Sequence, residues 1–335
     1  MPRAAIIKPQ PLRPGDTVGI VAPSSNIQPD QLRAGCDALR LLGYRPYFRD
    51  SIFERELLFA GSLERRLDEL RHMFEHPDVR AIVCARGGYG AGYVLERLDP
   101  AIVRQHPKIF VGYSDVTNML TWLHDRLGVV TFHGPMVAKD FARSDGVDLA
   151  SWQSALGGAG KWSLGAESGM TGLRDGRASG ALYGGCLSLL VAALGTKFEP
   201  NFRGRIAFIE DIGAKPYQID RMLTQLALTG KFAGVRGFVF GEMVDCTQAG
   251  GQDYSLQDVI MNVLRQRCPG LPVAFGLRSG HVLRRNITLP IGVQVELEVR
   301  DEQVRLTLLE PSVAAPSRSA IARNAKARRA RAGKR

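Results

Sequence analysis

Cysteine is scarce in this chain, and what there is forms no pattern. The five cysteines (Cys36, Cys84, Cys186, Cys246 and Cys268) are scattered, odd in number and never spaced as C-x-x-C. That excludes a disulfide framework and a cysteine zinc site, and it points to a reducing, cytoplasmic setting. Long apolar runs are missing as well. No segment approaches the roughly 20 apolar residues that span a bilayer. Between Arg3 and Lys8 stand only Ala4, Ala5, Ile6 and Ile7, too few for the apolar centre of a signal peptide. No membrane partner is expected. Acidic residues vanish after Val313, where Arg318, Arg323, Lys326, Arg328, Arg329, Arg331, Lys334 and Arg335 follow one another. Eight of the eleven excess positive charges therefore sit in this tail, and the rest of the chain is only mildly basic. Residues 312–335 have almost no large apolar side chains and no aromatic residue between the charges. They are expected to be disordered or marginally helical, and to make weak, salt-sensitive contact with polyanions rather than a specific nucleic-acid site.

What is present is an ordinary globular composition. With 335 residues, 45% of them hydrophobic and 23% charged, the chain is long enough for two cored domains. The segment from Asp16 to Ala22 reads as a buried strand ended by Pro23-Ser24-Ser25. Leu32, Cys36, Leu39 and Leu42 recur at helical spacing and stop at Gly43. A strand at 45–48, a helix capped by Ser62, a strand at 79–85, a helix at 92–98 and an apolar run ending at Val111 follow in turn. Strands alternating with helices predict an α/β fold, with a doubly wound, mostly parallel sheet over residues 1–140. Residues 141–177 are rich in Gly, Ser and Ala and read as a connection. Residues 178–311 read as a second, mixed α/β domain that ends in β structure, a hairpin over 291–299 and 303–309.

One stretch carries more chemistry than any other. Lys108-Ile-Phe-Val-Gly-Tyr-Ser-Asp is an apolar, β-branched run that breaks at Gly112 and is followed at once by an amphipathic segment from Val116 to Leu127. A strand, a sharp turn and a helix lift the Ser114 hydroxyl out of the backbone, as a nucleophile elbow does, although Val116 stands in place of the second glycine of G-x-S-x-G. The helix start aims its free N–H groups at the same place. Arg86-Gly-Gly-Tyr-Gly-Ala-Gly fits G-x-G-x-x-G poorly and does not follow the first strand. It reads equally as an oxyanion loop, a phosphate loop of a non-catalytic ligand-binding module, or a plain tight turn. Ligands in such sheets bind beyond strand C-termini, so this turn and Ser114 can share a crevice.

A serine nucleophile needs a base, and the base needs an acid. His72 and His76 lie on and after a charged helix, His106 precedes a proline, and His124 lies inside the helix after Ser114. His133, in Thr-Phe-His-Gly-Pro, and His281, in Ser-Gly-His-Val, remain, and local sequence does not separate them. Glu210-Asp211 closes the apolar run Ile206-Ala-Phe-Ile, where an acid can orient a histidine or cap a helix.

Taken in order, Val21-Ala-Pro-Ser-Ser, Ala85-Arg-Gly-Gly-Tyr-Gly-Ala, Val111-Gly-Tyr-Ser-Asp-Val-Thr, Phe132-His-Gly-Pro-Met, Gly184-Gly-Cys-Leu-Ser-Leu-Leu, Phe208-Ile-Glu-Asp and Gly280-His resemble the LD-carboxypeptidases of the S66 serine peptidase family. That family includes murein tetrapeptide carboxypeptidases and microcin C immunity peptidases. The resemblance runs from about Gly15 to Leu309. Cys186 stands where the family more often has Asn, and the basic tail departs from the family pattern. The resemblance implies Ser114 as nucleophile, His281 as base and Glu210 as its orienting acid, with the backbone N–H groups of Gly88 and Asp115 as oxyanion hole. Arg86 is a candidate for binding a substrate carboxylate, or for a buried ion pair. No metal and no organic cofactor is implied. The implied substrate is a peptide whose scissile bond joins an L-centre to a terminal D-residue, as in murein tetrapeptide, and the implied assembly is a homodimer. The short polar stretch from Asp245 to Tyr254 offers no tryptophan to stack on a nucleotide, which favours peptidoglycan recycling over microcin immunity.

Overall fold

The computed structural model describes residues 6–247 and 253–315. The basic tail beyond residue 315 and the centre of the 245–254 stretch lie outside the described residues.

The first half of the chain alternates as its apolar pattern predicts. In order come β1 (Thr17–Val21), α1 (Pro29–Leu41), β2 (Arg45–Tyr47), α2 (Leu63–Glu75), β3 (Val79–Cys84), α3 (Ala91–Arg97), α4 (Pro100–Gln105), β4 (Ile109–Gly112), α5 (Thr117–Leu127) and β5 (Thr131–His133). The strands β2, β1, β3, β4 and β5 lie side by side in parallel. Val18, Ile20, Ile82, Val83, Phe110 and Val111 are all buried, because helices cover both faces of a parallel sheet and leave no alternation between wet and dry sides. Each such side chain contributes roughly 1.5–3 kcal/mol relative to exposure. Ser62 starts α2 by accepting a hydrogen bond from the Arg65 N–H at 3.1 Å.

The second half runs α6 (Leu149–Gly157), β6 (Trp162–Leu164), β7 (Thr171–Arg174), β8 (Gly176–Cys186), α7 (Leu187–Ala192), β9 (Arg205–Glu210), α8 (Pro216–Leu228), β10 (Gly237–Gly241), α9 (Leu256–Arg267), β11 (Val273–Leu277), β12 (Leu289–Ile291), β13 (Gln294–Arg300) and β14 (Gln303–Leu308), and all of these strands except β12 form an eight-stranded sheet. Its order is β6-β14-β13-β8-β9-β10-β11-β7. The centre, β8 to β11, is parallel, and the flanking strands are antiparallel. The stretch 141–177, which reads as a connection in the sequence, carries α6 and the two edge strands β6 and β7. Strands of three and four residues are too short to leave a period-2 signal.

The two halves are interlocked. The apolar run at 289–299 is not one strand. Gly292, at φ +92°, turns the chain from one sheet into the other. Before the turn, β12 pairs antiparallel with β5 and becomes the sixth strand of the first sheet. After it, β13 joins the second sheet beside β8. An ion pair of 2.6 Å between Arg205 on β9 and Asp125 on α5 ties the halves again. So does the Cys186 N–H, which donates to the Thr117 hydroxyl at 3.1 Å. Both parallel sheet centres therefore present their strand C-termini to one crevice.

Candidate active site

The end of β4 is strained where the sequence predicts a sharp turn. Ser114 has φ +63°, and Ser114–Val116 form a single 3-10 turn that runs into α5. A left-handed serine costs about 1–3 kcal/mol and persists only where packing overrides it. Here Tyr113 is wholly buried and sets its ring edge-on to His281 at 5.2 Å. Gly112 explains how the elbow forms without its second glycine: a Cβ at Gly112 would stand 3.0 Å from Val116 Cγ1, so the room that Val116 needs is made one turn earlier. The glycine turn also presses on the elbow, since a Cβ at Gly87 would lie 2.9 Å from Ser114 Cβ.

Glu210 ends β9 and His281 follows β11, so neither lies near Ser114 in the chain. The structure brings the three together. His281 Nε2 is 3.0 Å from Ser114 Oγ, and His281 Nδ1 is 2.8 Å from Glu210 Oε2. The same oxygen accepts the backbone N–H of His281 at 3.0 Å. With the Nδ1 proton held by the carboxylate, Nε2 is left as the acceptor for the serine hydroxyl. Burial by itself would raise the Glu210 carboxyl. His281 and, behind it, His133 outweigh that and hold it well below the usual carboxylate range. A hydroxyl, an imidazole and an ionised carboxylate in one hydrogen-bonded chain can generate an alkoxide-like nucleophile and return the proton to a leaving group.

The neighbouring acid has the other role open to such a pair. Asp211 Oδ2 accepts the Ser188 N–H at 2.7 Å in the first turn of α7, which caps that helix. Burial raises the Asp211 carboxyl. Asp115 contributes a side chain that sequence reading does not single out: its Oδ2 accepts the N–H of Ala91, the first residue of α3, at 2.7 Å. That bond ties the Arg86–Gly90 turn to the elbow. In the turn, Gly88 has φ +113°, and a Cβ there would fall 2.3 Å from Ser25 Oγ, so only glycine fits. Ser25 Oγ accepts the Tyr89 N–H at 3.0 Å.

Ser114 and His281 open onto a cleft of about 570 Å³, lined also by Gly88, Arg86, Lys139 and Arg143. The lining among the described residues includes these three cations and no carboxylate. Arg86 makes no ion pair among the described residues, and its Nη1 donates to Asn26 O at 3.3 Å. Arg143 pairs with Asp145 at 3.3 Å. Lys139 lies over the Tyr113 ring at 5.4 Å, on a π-helical turn (Val137–Phe141). Such turns gather at functional sites, but no sequence periodicity marks this one.

The remaining histidines lie elsewhere or behind the site. His72 Nε2 is 2.9 Å from the Tyr47 hydroxyl, and His124 packs beneath Gly292 with Nδ1 3.2 Å from Val129 O. His133 sits directly behind Glu210. Cys186, Glu210 and His281 form a buried group whose ligand-type atoms lie within 4.8 Å of one another. Burial, then Glu210 and Asp211, push the Cys186 thiol well up, and its sulfur lies 3.2 Å from the Ser188 hydroxyl.

The chain is also similar to known proteins. Residues 18–134 match the LD-carboxypeptidase N-terminal domain, and residues 179–297 match the LD-carboxypeptidase C-terminal domain. The chain is 37% identical to the probable murein peptide carboxypeptidase of Bacillus subtilis over 298 residues, 88% of this chain and 92% of that protein. It is 30% identical to the murein tetrapeptide carboxypeptidase of Pseudomonas aeruginosa over 240 residues, 68% and 77% of the two chains. Among solved structures, a muramoyltetrapeptide carboxypeptidase from Oxalobacter formigenes superposes with a TM-score of 0.78 at 28% identity, covering 88% of this chain and 99% of that one. The microcin C7 self-immunity protein MccF, at 22% identity and a TM-score of 0.83 over 92% of this chain and all of its own, shares the fold. The chain belongs to the LD-carboxypeptidase family of serine peptidases.

Proposed function

We propose that this enzyme hydrolyses the L,D-peptide bond before a terminal D-residue, and that its substrate is a murein tetrapeptide from which it releases D-alanine. The observation that carries the reading is the Glu210–His281–Ser114 chain, at 2.8 and 3.0 Å, opening onto a cation-lined cleft. In this reading Ser114 Oγ attacks the scissile carbonyl while His281 Nε2 takes its proton, and Glu210 stabilises the imidazolium that forms. The backbone N–H groups of Gly88 and Asp115 receive the developing oxyanion. His281 then protonates the departing amine of the D-residue. It next activates the water that hydrolyses the acyl-enzyme. Arg86, Lys139 and Arg143 give the cleft a positive field suited to the free carboxylate that marks a peptide end.

The substrate assignment is supported by the two murein carboxypeptidase relatives at 30% identity or more. A place in the cytoplasm, in recycling of cell-wall peptides, is supported by five buried free cysteines, and among the described residues no helix is long and apolar enough to cross a membrane. A homodimer rests on the family resemblance, and weak polyanion contact rests on the eight cations after Val313. The test compares a tetrapeptide ending in D-alanine with its L-alanine-terminated diastereomer. Free alanine is expected from the D-form alone, and equal release from both would overturn the stereochemical assignment.

A further inference from the structure

The mechanism above leaves one oxygen of Glu210 unused. Oε2 takes both contacts from His281, at 2.8 and 3.0 Å. Oε1 has no hydrogen-bond partner among the described residues, and neither does His133 Nε2, which faces it at 3.7 Å. Both side chains are wholly buried. A buried carboxylate oxygen without a donor is costly, as is an imidazole nitrogen whose lone pair points at it. Of the two neutral tautomers of His133, only the one with the proton on Nε2 turns a donor rather than a lone pair toward Oε1, 3.7 Å away. The other side of the ring allows it. Nδ1 lies 3.0 Å from Ser279 Oγ, whose hydroxyl is also 2.8 Å from Ile287 O and can turn its hydrogen to either.

The surrounding packing holds this pair in register. His133 ends β5, fixed between Gly112 on β4 and Leu289 on β12. The Phe208 ring meets it edge-on at 4.9 Å. Gly280, at φ +93°, passes so close that a Cβ would stand 2.6 Å from Glu210 Cδ and 2.8 Å from His133 Cε1. The second histidine is also one of the groups that keep the Glu210 carboxyl low, after burial, which acts against it, and His281.

We propose that His133 is a positioning residue that presents Nε2–H to the inner oxygen of Glu210 and so fixes the carboxylate with its outer oxygen on His281. The proposal rests on the triad reading above, and it makes the acid part of a longer chain: Ser114, His281, Glu210, His133, Ser279. A glutamine at 133 can place an amide donor near the position of Nε2, whereas an asparagine reaches only as far as Nδ1.

The test compares His133→Gln with His133→Asn, with Ser114→Ala as the control for the triad itself. H133N is expected to lose on the order of 10- to 100-fold in kcat, by analogy with the loss when the hydrogen-bond partner behind a metal-bound histidine or carboxylate is removed, with KM unchanged. H133Q is expected to recover most of that loss. The rate at which a fluorophosphonate labels Ser114 should follow kcat. In wild-type protein carrying 15N-histidine, the His133 Nε2 resonance should report a bound proton. Full kcat in folded H133N, equal losses in both variants, or an unprotonated Nε2 would each overturn the proposal while leaving the triad standing. Activity in Ser114→Ala would overturn the triad instead.

Discussion

Replacing Glu210 by glutamine tests the electrostatics of the site with almost no change of shape. Both contacts from His281 end on the same oxygen, Oε2, so the amide oxygen of glutamine can keep both. What is lost is the charge, together with the acceptor oxygen that faces His133 Nε2 at 3.7 Å. When His281 takes the serine proton, its ring becomes a cation hydrogen-bonded at 2.8 Å to that carboxylate. Two unit charges about 4 Å apart at an effective dielectric constant of about 20 attract by roughly 4 kcal/mol. At about 1.4 kcal/mol per factor of ten, that is nearly three decades of rate. The corresponding carboxylate-to-amide change in a serine protease triad lowers kcat by about 10⁴, because the tautomer is disturbed as well. E210Q is therefore expected to lose about 10³- to 10⁴-fold in kcat, measured as D-alanine release at saturating peptide. KM should change little, because Glu210 does not line the cleft. The variant should also alter the acid limb of stability. The native carboxyl titrates below its unfolded value, so its contribution is complete above the ordinary carboxylate pKa of about 4.3 and fades as pH falls below it. The gap in unfolding free energy between wild type and E210Q should shrink along that limb. A folded E210Q protein with kcat within tenfold of wild type would refute the reasoning.

Two further substitutions probe the glycine turn. Gly88→Ala forces a Cβ into Ser25 Oγ at 2.3 Å and must displace the turn, and kcat should fall about 10²- to 10³-fold if a backbone donor is lost; unchanged kcat would remove Gly88 from the oxyanion hole. Asp115→Ala strands the buried Ala91 N–H that now bonds at 2.7 Å, and urea unfolding should show a loss of about 1–3 kcal/mol, whereas no loss would show that the turn is held by other contacts.

How legible the molecule is in its sequence depends on how local each feature is. The elbow at Ser114 is readable because a β-branched run, a glycine and a helix are contiguous. The parallel sheet is readable because strand and helix periods alternate over residues 17–133. Edge strands β6 and β7 are too short to signal themselves, and β12 pairs with β5 across nearly half the chain. The two histidines are indistinguishable locally because both flank a glycine beside a strand. In space they stand on opposite sides of the same carboxylate, His281 on Oε2 and His133 facing Oε1. Glu210 and Asp211 fit both readings of a strand-end acid because each takes one of them. Lys139 reaches the cleft on a π-helical turn that has no sequence period of its own, and Arg143 follows just after it. The family resemblance linked Ser114 to His281 where spacing could not.

The central claim is that Ser114 forms the acyl-enzyme. Its most direct test is to react the protein with a fluorophosphonate, map the modified peptide by mass spectrometry and follow D-alanine release in the same samples. The account predicts a single adduct on Ser114 whose fraction equals the fraction of activity lost. An adduct on another residue, or full activity with Ser114 modified, would contradict it.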